Sequence, residues 1–374
     1  MTWPSARDVR AEIERRRWRR QSNNVLYGHP PVRFWRDDIA LAESLAAWRS
    51  RREPSGKRLN LYVGIPYCLR TDPDRCGYCL FPTELYQGAQ ELTAYLALLR
   101  REGRLYREYV EGAAVAGVYF GGGTPNLLRT DQYAALLEVV REVFPDIPLN
   151  AEITLEGIPQ LFTHEKLEAM QAAGVNRISI GVQQLDETLI GLSGRSQTAA
   201  DVFRTLEDCR SLGLRSSVDL IYGWPRQTVQ TMLRDLEALV DAGIDHLTHY
   251  ELNVAGRAHF FRALRHELPS VEANLEMYSA ARDFLQTRGY RQTTTYDWMR
   301  TRAGDAGRYR FEERLRNYLD YDESGHLCGT DMWGWGYAGI SYYFGTPEVP
   351  GFAVQNTRSV DELSRRLDLG EFPI

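Results

Sequence analysis

The sequence predicts an α/β fold: a partial (β/α)6 barrel of the TIM type, with an Arg-rich helical extension before it and a small α+β segment after it. Three observations predict it. Between about residues 60 and 255, short apolar runs alternate with stretches whose apolar residues recur at helical spacing. Gly-rich turns follow several of the runs. The residues with ligand chemistry fall where those runs end, which is where a barrel of parallel strands carries its active site. The expected organisation is a head over 1–58, the barrel over 59–255 and a C-terminal region over 256–374.

The elements justify this in order. Leu59 to Pro66 is an apolar run ending at Cys68. Gly117-Val118-Tyr119-Phe120 leads into Gly121-Gly122-Gly123-Thr124-Pro125, and Tyr133, Leu136, Leu137, Val140 and Phe144 then follow helical spacing. Ala151 to Leu155, Arg177 to Val182, Ser217 to Tyr222 and His246 to Leu252 read as further buried strands. Between the last two, Val229, Met232, Leu233, Leu236, Leu239 and Val240 form the apolar face of a helix. Such alternation means parallel strands joined by right-handed crossovers. In the tail, helices are expected near 258–267, 272–288 and 359–369. An aromatic, Gly-rich stretch, Met332 to Tyr343, lies between the last two and either walls a flat apolar substrate or caps the open barrel.

The bulk numbers narrow the class. Hydrophobic residues at 43% and charged residues at 25% are the proportions of a soluble globular protein. No apolar run reaches the roughly 18 residues needed to cross a bilayer, and the first twenty residues have no apolar stretch of a secretory signal. A cytoplasmic location is expected, with no membrane or nucleic-acid partner. The net charge of −5 is uneven, for residues 1–60 hold fourteen Lys/Arg against seven Asp/Glu. Arg15, Arg16, Arg17, Arg19 and Arg20 read best as a solvated helix face.

Of five cysteines, Cys68, Cys76 and Cys79 lie within twelve residues. Clustered thiols in an intracellular chain point to metal or redox chemistry. Cys68-x7-Cys76-x2-Cys79 follows directly from a strand, so all three thiols stand at its C-terminal mouth. Three thiolates on a four-iron cubane leave one iron open to another ligand. A structural zinc site wants four protein ligands, and no fourth Cys or His lies nearby. Cys209, on a stripe with Val202 and Leu206, reads as a core thiol, and Cys328 in a Gly-rich tail segment as structural.

Tyr62-Val63-Gly64-Ile65-Pro66-Tyr67-Cys68 with Cys76-Gly77-Tyr78-Cys79 resembles the cluster loop of radical S-adenosylmethionine (SAM) proteins of the oxygen-independent coproporphyrinogen III dehydrogenase-like, or HemN-like, family. The resemblance continues through Gly121 to Leu128, Gly174 to Gln183 and Val218 to Pro225. It implies that Cys68, Cys76 and Cys79 hold a [4Fe-4S] cluster that cleaves SAM to a 5′-deoxyadenosyl radical. It further implies that Gly122, Gly123 and Thr124 meet the methionine part of SAM, and that Glu156 meets its amino group. Gln183 and Arg195 match positions near the ribose and carboxylate, and Asp219 a further polar contact. Tyr62 and Tyr78 would lie beside the cluster, with Tyr78 either against the adenine or in ordinary aromatic packing. A flavodoxin or ferredoxin-type electron donor and a small-molecule substrate are implied partners. One departure is plain: the family spaces its first two cysteines by three residues, and this chain has seven, Leu69 to Arg75.

Three reactions fit the resemblance. The first is C-methylation or cyclopropanation of a natural-product-like substrate with a second SAM, suggested by Leu26-Tyr27-Gly28-His29-Pro30-Pro31 and Trp35. The second is oxidative decarboxylation of coproporphyrinogen III, against which Gly64 replaces the first-loop His. The third is a non-catalytic haem chaperone, whose tail His-Asn pair has only Arg316-Asn317 as a counterpart here. The expectation is the first.

Overall fold

The computed structural model describes residues 39–51, 56–254, 256, 258–300, 330–345 and 349–374, with positions 7, 10, 11 and 14 of the head. The Arg15–Arg20 run, Leu26 to Pro31 with Trp35, Arg316-Asn317 and Cys328 lie outside the described residues.

The strands in chain order are β1 (Arg58–Ile65), β2 (Tyr67–Cys68), β3 (Glu84–Leu85), β4 (Ala114–Gly122), β5 (Glu152–Gly157), β6 (Arg177–Gln183), β7 (Arg215–Tyr222) and β8 (His246–Glu251). They continue as β9 (Tyr290–Gln292), β10 (Asp297–Arg300), β11 (Asp331–Gly336), β12 (Ile340–Tyr343) and β13 (Phe352–Gln355). The helices are α1 (Leu41–Ser50), α2 (Ala89–Val110), α3 (Thr130–Val143), α4 (His164–Ala173), α5 (Glu187–Gly191), α6 (Ala199–Ser211) and α7 (Val229–Asp241). The last three are α8 (His259–Arg262), α9 (Val271–Thr287) and α10 (Val360–Asp368).

All six expected strands form, and they pair in parallel in the order β1-β4-β5-β6-β7-β8. The reason is visible residue by residue. Alternate side chains such as Leu61, Val118, Leu155, Ile178, Val218 and Leu247 are buried in the apolar core. Their neighbours Asn60, Thr154, Ser179, Ser217 and Thr248 are buried but polar, as period-two alternation with a polar barrel interior requires. At the N-terminal end of that interior, Arg177 donates to Glu152 at 3.0 Å and to Ser217 at 2.9 Å, both partners of the ion pair being nearly inaccessible. Crossover helices are capped where they begin: the Thr198 hydroxyl accepts the Asp201 amide, and that of Thr228 accepts the Thr231 amide.

The tail extends the same sheet. Strand β11 lies parallel to β1, with Leu59 opposite Asp331 and Gly64 opposite Gly336. Antiparallel strands finish both edges, β12 and β13 beyond β11, and β10 and β9 beyond β8, giving eleven strands in one open sheet. The aromatic stretch resolves in favour of the core. Trp333 and Trp335 are fully buried and stack with ring centroids 4.6 Å apart, and the Trp335 indole N–H donates to Leu99 O on α2. Cys209 is likewise buried, its thiol pushed up to about 12 by that burial. Among the described residues no helix is long and apolar enough to cross a membrane.

Candidate active site

The first strand delivers the cysteines. After β1 the chain turns at Pro66 into β2, which ends at Cys68; Cys76 closes a 3-10 turn (Asp74–Cys76), and Cys79 follows. Each cysteine is half-buried. The backbone is left-handed at Arg75, Cys76 and Gly77 (φ 58°, 54° and 58°), which swings the loop back on itself. The Cys76 amide donates to the Thr71 hydroxyl at 3.0 Å, and the Thr124 hydroxyl donates to Cys68 Sγ at 3.4 Å.

Burial is the main influence on two of the thiols, raising that of Cys68 and pushing that of Cys79 up to about 11. Each of them also feels Cys76, and Cys79 feels Cys68, so the three face one region. Among the described residues no three Cys, His, Asp or Glu side chains close around a single ion. A cubane held by three thiolates keeps one iron open, whereas a structural zinc site wants four protein ligands, so a set of three thiols suits the cluster better than zinc.

The glycine turn after β4 is shaped by the cysteine loop. The Gly123 amide donates to Ile65 O at 2.7 Å and the Thr124 amide to Tyr67 O at 2.8 Å. A Cβ on Gly123 would collide with the Tyr67 carbonyl, and one on Gly122 (φ 105°) would lie 2.8 Å from Ile65 O. Glycine is therefore required by the chain's own backbone, which docks the cysteine loop onto the barrel. Gly121 makes room for Glu156, whose Oε2 lies 2.8 Å from where a Cβ would stand.

The other expected residues gather at the same mouth. Arg195 donates to Gly181 O at 2.6 Å and to Gln197 at 3.2 Å, and hydrogen-bonds Cys76. Burial opposes its charge, but Tyr78, Cys76 and Cys79 around it hold its pKa above the ordinary value. Gln183 ends β6 with φ 66°, an uncommon conformation for a residue with a side chain. Asp219 stands opposite Gly181 in register and accepts from the Ser179 hydroxyl at 3.4 Å. Tyr78 packs on Trp224 and Phe260, with centroids 5.0 and 6.2 Å away, while its hydroxyl feels Arg195, Cys76 and Glu156. Tyr62 stacks on Tyr119 inside the barrel; burial first, then the Glu156 carboxylate, raises its pKa.

Some residues at the mouth carry no sequence signal as site residues. A cavity of about 820 Å³ opens beside Cys79, with Arg75, His259, Arg262, Tyr337 and Arg358 in its walls. Arg75 adjoins Cys76 in the chain. The others lie 184 or more residues beyond Arg75 in the chain, and nothing local marks them. The carbonyl of Tyr337 also fills the space beside Gly64, where any Cβ would collide with it.

Three thiols at a strand mouth, a glycine turn clasping them and buried charge at the same end of a parallel barrel are the features of a radical SAM protein. Residues 66–239 match the Radical SAM superfamily. The solved coproporphyrinogen III oxidase HemN of Escherichia coli superposes over 93% of this chain and 77% of its own, with a TM-score of 0.76 and 25% identity. The mouse radical S-adenosyl methionine domain-containing protein 1, mitochondrial, is 38% identical over 257 residues, 67% of this chain and 56% of its own length. The haem chaperone HemW of E. coli is 32% identical over 238 residues, 63% of this chain and 61% of its own. This chain thus spans little more than half the length of the mouse relative. It belongs to the HemN-like family of radical SAM proteins, which use a [4Fe-4S] cluster and SAM.

Proposed function

We propose that the protein takes a hydrogen atom from a carboxylate-bearing tetrapyrrole in an oxidative decarboxylation of the coproporphyrinogen III oxidase type. The observation that carries this is the charge of the cavity beside Cys79. Arg75, Arg262 and Arg358 line it, and among the described residues of its wall the one carboxylate, Glu84, is engaged by the Val360 amide at 2.8 Å. A cationic wall next to a reaction centre suits a substrate with several carboxylates, and the volume is in the range of small-ligand sites.

Cys68, Cys76 and Cys79 would hold the cluster, and Glu156, Gln183, Arg195 and Asp219 would surround SAM. When bound, these groups supply a one-electron cleavage of SAM whose 5′-deoxyadenosyl fragment takes the hydrogen atom. The substrate's propionate side chain would then lose its carboxylate as carbon dioxide, leaving a vinyl group, and the remaining electron would pass to a one-electron acceptor. Arg195 hydrogen-bonds Cys76, and Thr124 stabilises the thiolate of Cys68 by donating to its sulfur. Trp224 and Phe260 hold Tyr78 over the cysteine turn and keep water from that side.

C-methylation or cyclopropanation, the expectation from sequence, has no support among the relatives named above, and the motif that suggested it lies outside the described residues. A second reading, haem chaperone, is favoured by the likeness to HemW, and the same cationic cavity would pair haem propionates.

The test is anaerobic. The cluster is reconstituted, then dithionite, SAM and coproporphyrinogen III are added and the products weighed. Release of 5′-deoxyadenosine with loss of two carboxyl groups is expected. Unchanged coproporphyrinogen with an active cluster would remove decarboxylation, and a Soret shift on adding haemin would then favour the chaperone.

A further inference from the structure

The seven residues between Cys68 and Cys76 distinguish this chain from its family, and the cysteine loop they belong to is held against the rest of the fold. The backbone of Asp72 lies over Gly194 (φ 80°), where a Cβ would come within 2.7 Å of Asp72 C and O. Pro73 packs by Gly77, where a Cβ would stand 3.1 Å from both Pro73 Cγ and Phe260 Cε1. The Phe260 amide, in α8, donates to Gly77 O at 3.0 Å. Within the spacer, the Thr71 hydroxyl donates to Pro73 O at 2.8 Å. The loop is therefore seated on the barrel and on the segment that follows β8.

Arg75 is the residue that this seating presents. It is exposed, left-handed at φ 58° and ψ 43°, and it lines the large cavity beside Cys79. Glycine or asparagine would take that backbone conformation more easily, and an arginine there costs on the order of 1 kcal/mol. What the position gains from arginine lies in the side chain. Arg262 reaches the same cavity from α8 and Arg358 from the turn after β13. Tyr337 lies in the same cavity wall, and its hydroxyl feels Arg75 and Arg358 as well as Glu84 and the Cys68 thiol.

We propose that Arg75, with Arg262 and Arg358, anchors the carboxylates of the substrate, and that the long cysteine spacer serves to put Arg75 there. The ligand rests on the tetrapyrrole reading above; the site itself is a specificity device of this chain. A planar guanidinium fork pairs bidentately with a carboxylate, and three forks from the cysteine loop, α8 and the tail would fix a polycarboxylate in one orientation.

The experiment uses the full chain with its cluster reconstituted and SAM bound, titrated anaerobically with coproporphyrin III, a fluorescent tetracarboxylate. Binding is compared in the parent protein, Arg75→Gln, Arg75→Gly and, as a control from the same loop, Arg70→Gln. Expected is about a tenfold weakening, roughly 1.4 kcal/mol, in both Arg75 variants and little change in Arg70→Gln. The glycine variant suits the left-handed backbone, so it reads the charge alone where Arg75→Gln disturbs the loop. Equal binding by the parent and both Arg75 variants would overturn this inference and leave the tetrapyrrole reading standing. No binding by the parent would overturn both.

Discussion

Arg51 and Asp331, separated by 280 residues, form an ion pair of 2.8 Å with 5% and 0% of their side chains exposed. Asp331 opens β11 and also accepts from the Trp48 indole at 2.9 Å and from the Phe344 amide at 2.6 Å. Arg51 in turn donates to Phe344 O. Through this one carboxylate the helix before the barrel is tied to the strand that extends it beyond β1. Removing one partner of a buried pair leaves an uncompensated charge and costs about 3–5 kcal/mol. Asp331→Ala should lower stability by that amount in denaturant unfolding, and a loss under about 1 kcal/mol would mean that the pair is hydrated.

Glu102 ties α2 to the tail, accepting from the Gly336 amide at 3.0 Å and the Asn356 side chain at 2.7 Å. Burial pushes its pKa up to about 8 from an ordinary 4.5, against the lowering by those two donors. The folded protein thus keeps a proton that the unfolded chain releases. Stability from this group is highest below about pH 4.5, falls by at most about 1.4 kcal/mol per pH unit up to about 8, and is flat above. Glu102→Gln should flatten that decline between pH 5 and 8 in thermal or denaturant melts, because Asn356 can turn its amide to suit. A decline of unchanged slope would assign it to other groups.

Gly123 lies where the cysteine loop meets the β4 turn, and Gly123→Ala would drive a methyl into Tyr67 O. The two amide bonds that dock the loop, Gly123 to Ile65 O and Thr124 to Tyr67 O, should open together. Iron bound per chain after reconstitution is expected to fall at least severalfold while the far-ultraviolet dichroism of the barrel is kept. Full iron loading would show that the loop tolerates the shift.

Cys76→Ala should abolish 5′-deoxyadenosine release, since two thiolates do not hold a cubane with one open site. Arg195→Gln is expected to retain iron yet weaken SAM binding at least tenfold, because it removes a charged fork anchored on Gly181 O and Gln197. Equilibrium dialysis with labelled SAM separates the two. If Arg195→Gln bound SAM normally but lost iron, its role would lie with Cys76 instead.

Much of this molecule was legible locally. The alternation from Leu59 to Leu252 is a property of neighbouring residues, and six strands form where it places them. The cysteines, Gly121 to Thr124, Glu156 and Gln183 sit at strand ends, so their convergence follows once the strands are parallel. The reason for the glycines was less accessible: the backbone they accommodate belongs to Ile65 and Tyr67, more than fifty residues earlier.

What sequence alone determined is therefore the six strands and helices of the barrel and the clustering of the cysteines after the first of those strands, because hydrophobic period and turn chemistry act over a few residues. Only the tertiary structure decided that β11 would pair with β1 and that Trp333 and Trp335 would go to the core. It also decided that Arg262, Tyr337 and Arg358 would meet Arg75 beside Cys79. Pairing across hundreds of residues is chosen by the burial and hydrogen bonding of the whole sheet, and it leaves no periodic trace in the segments it joins.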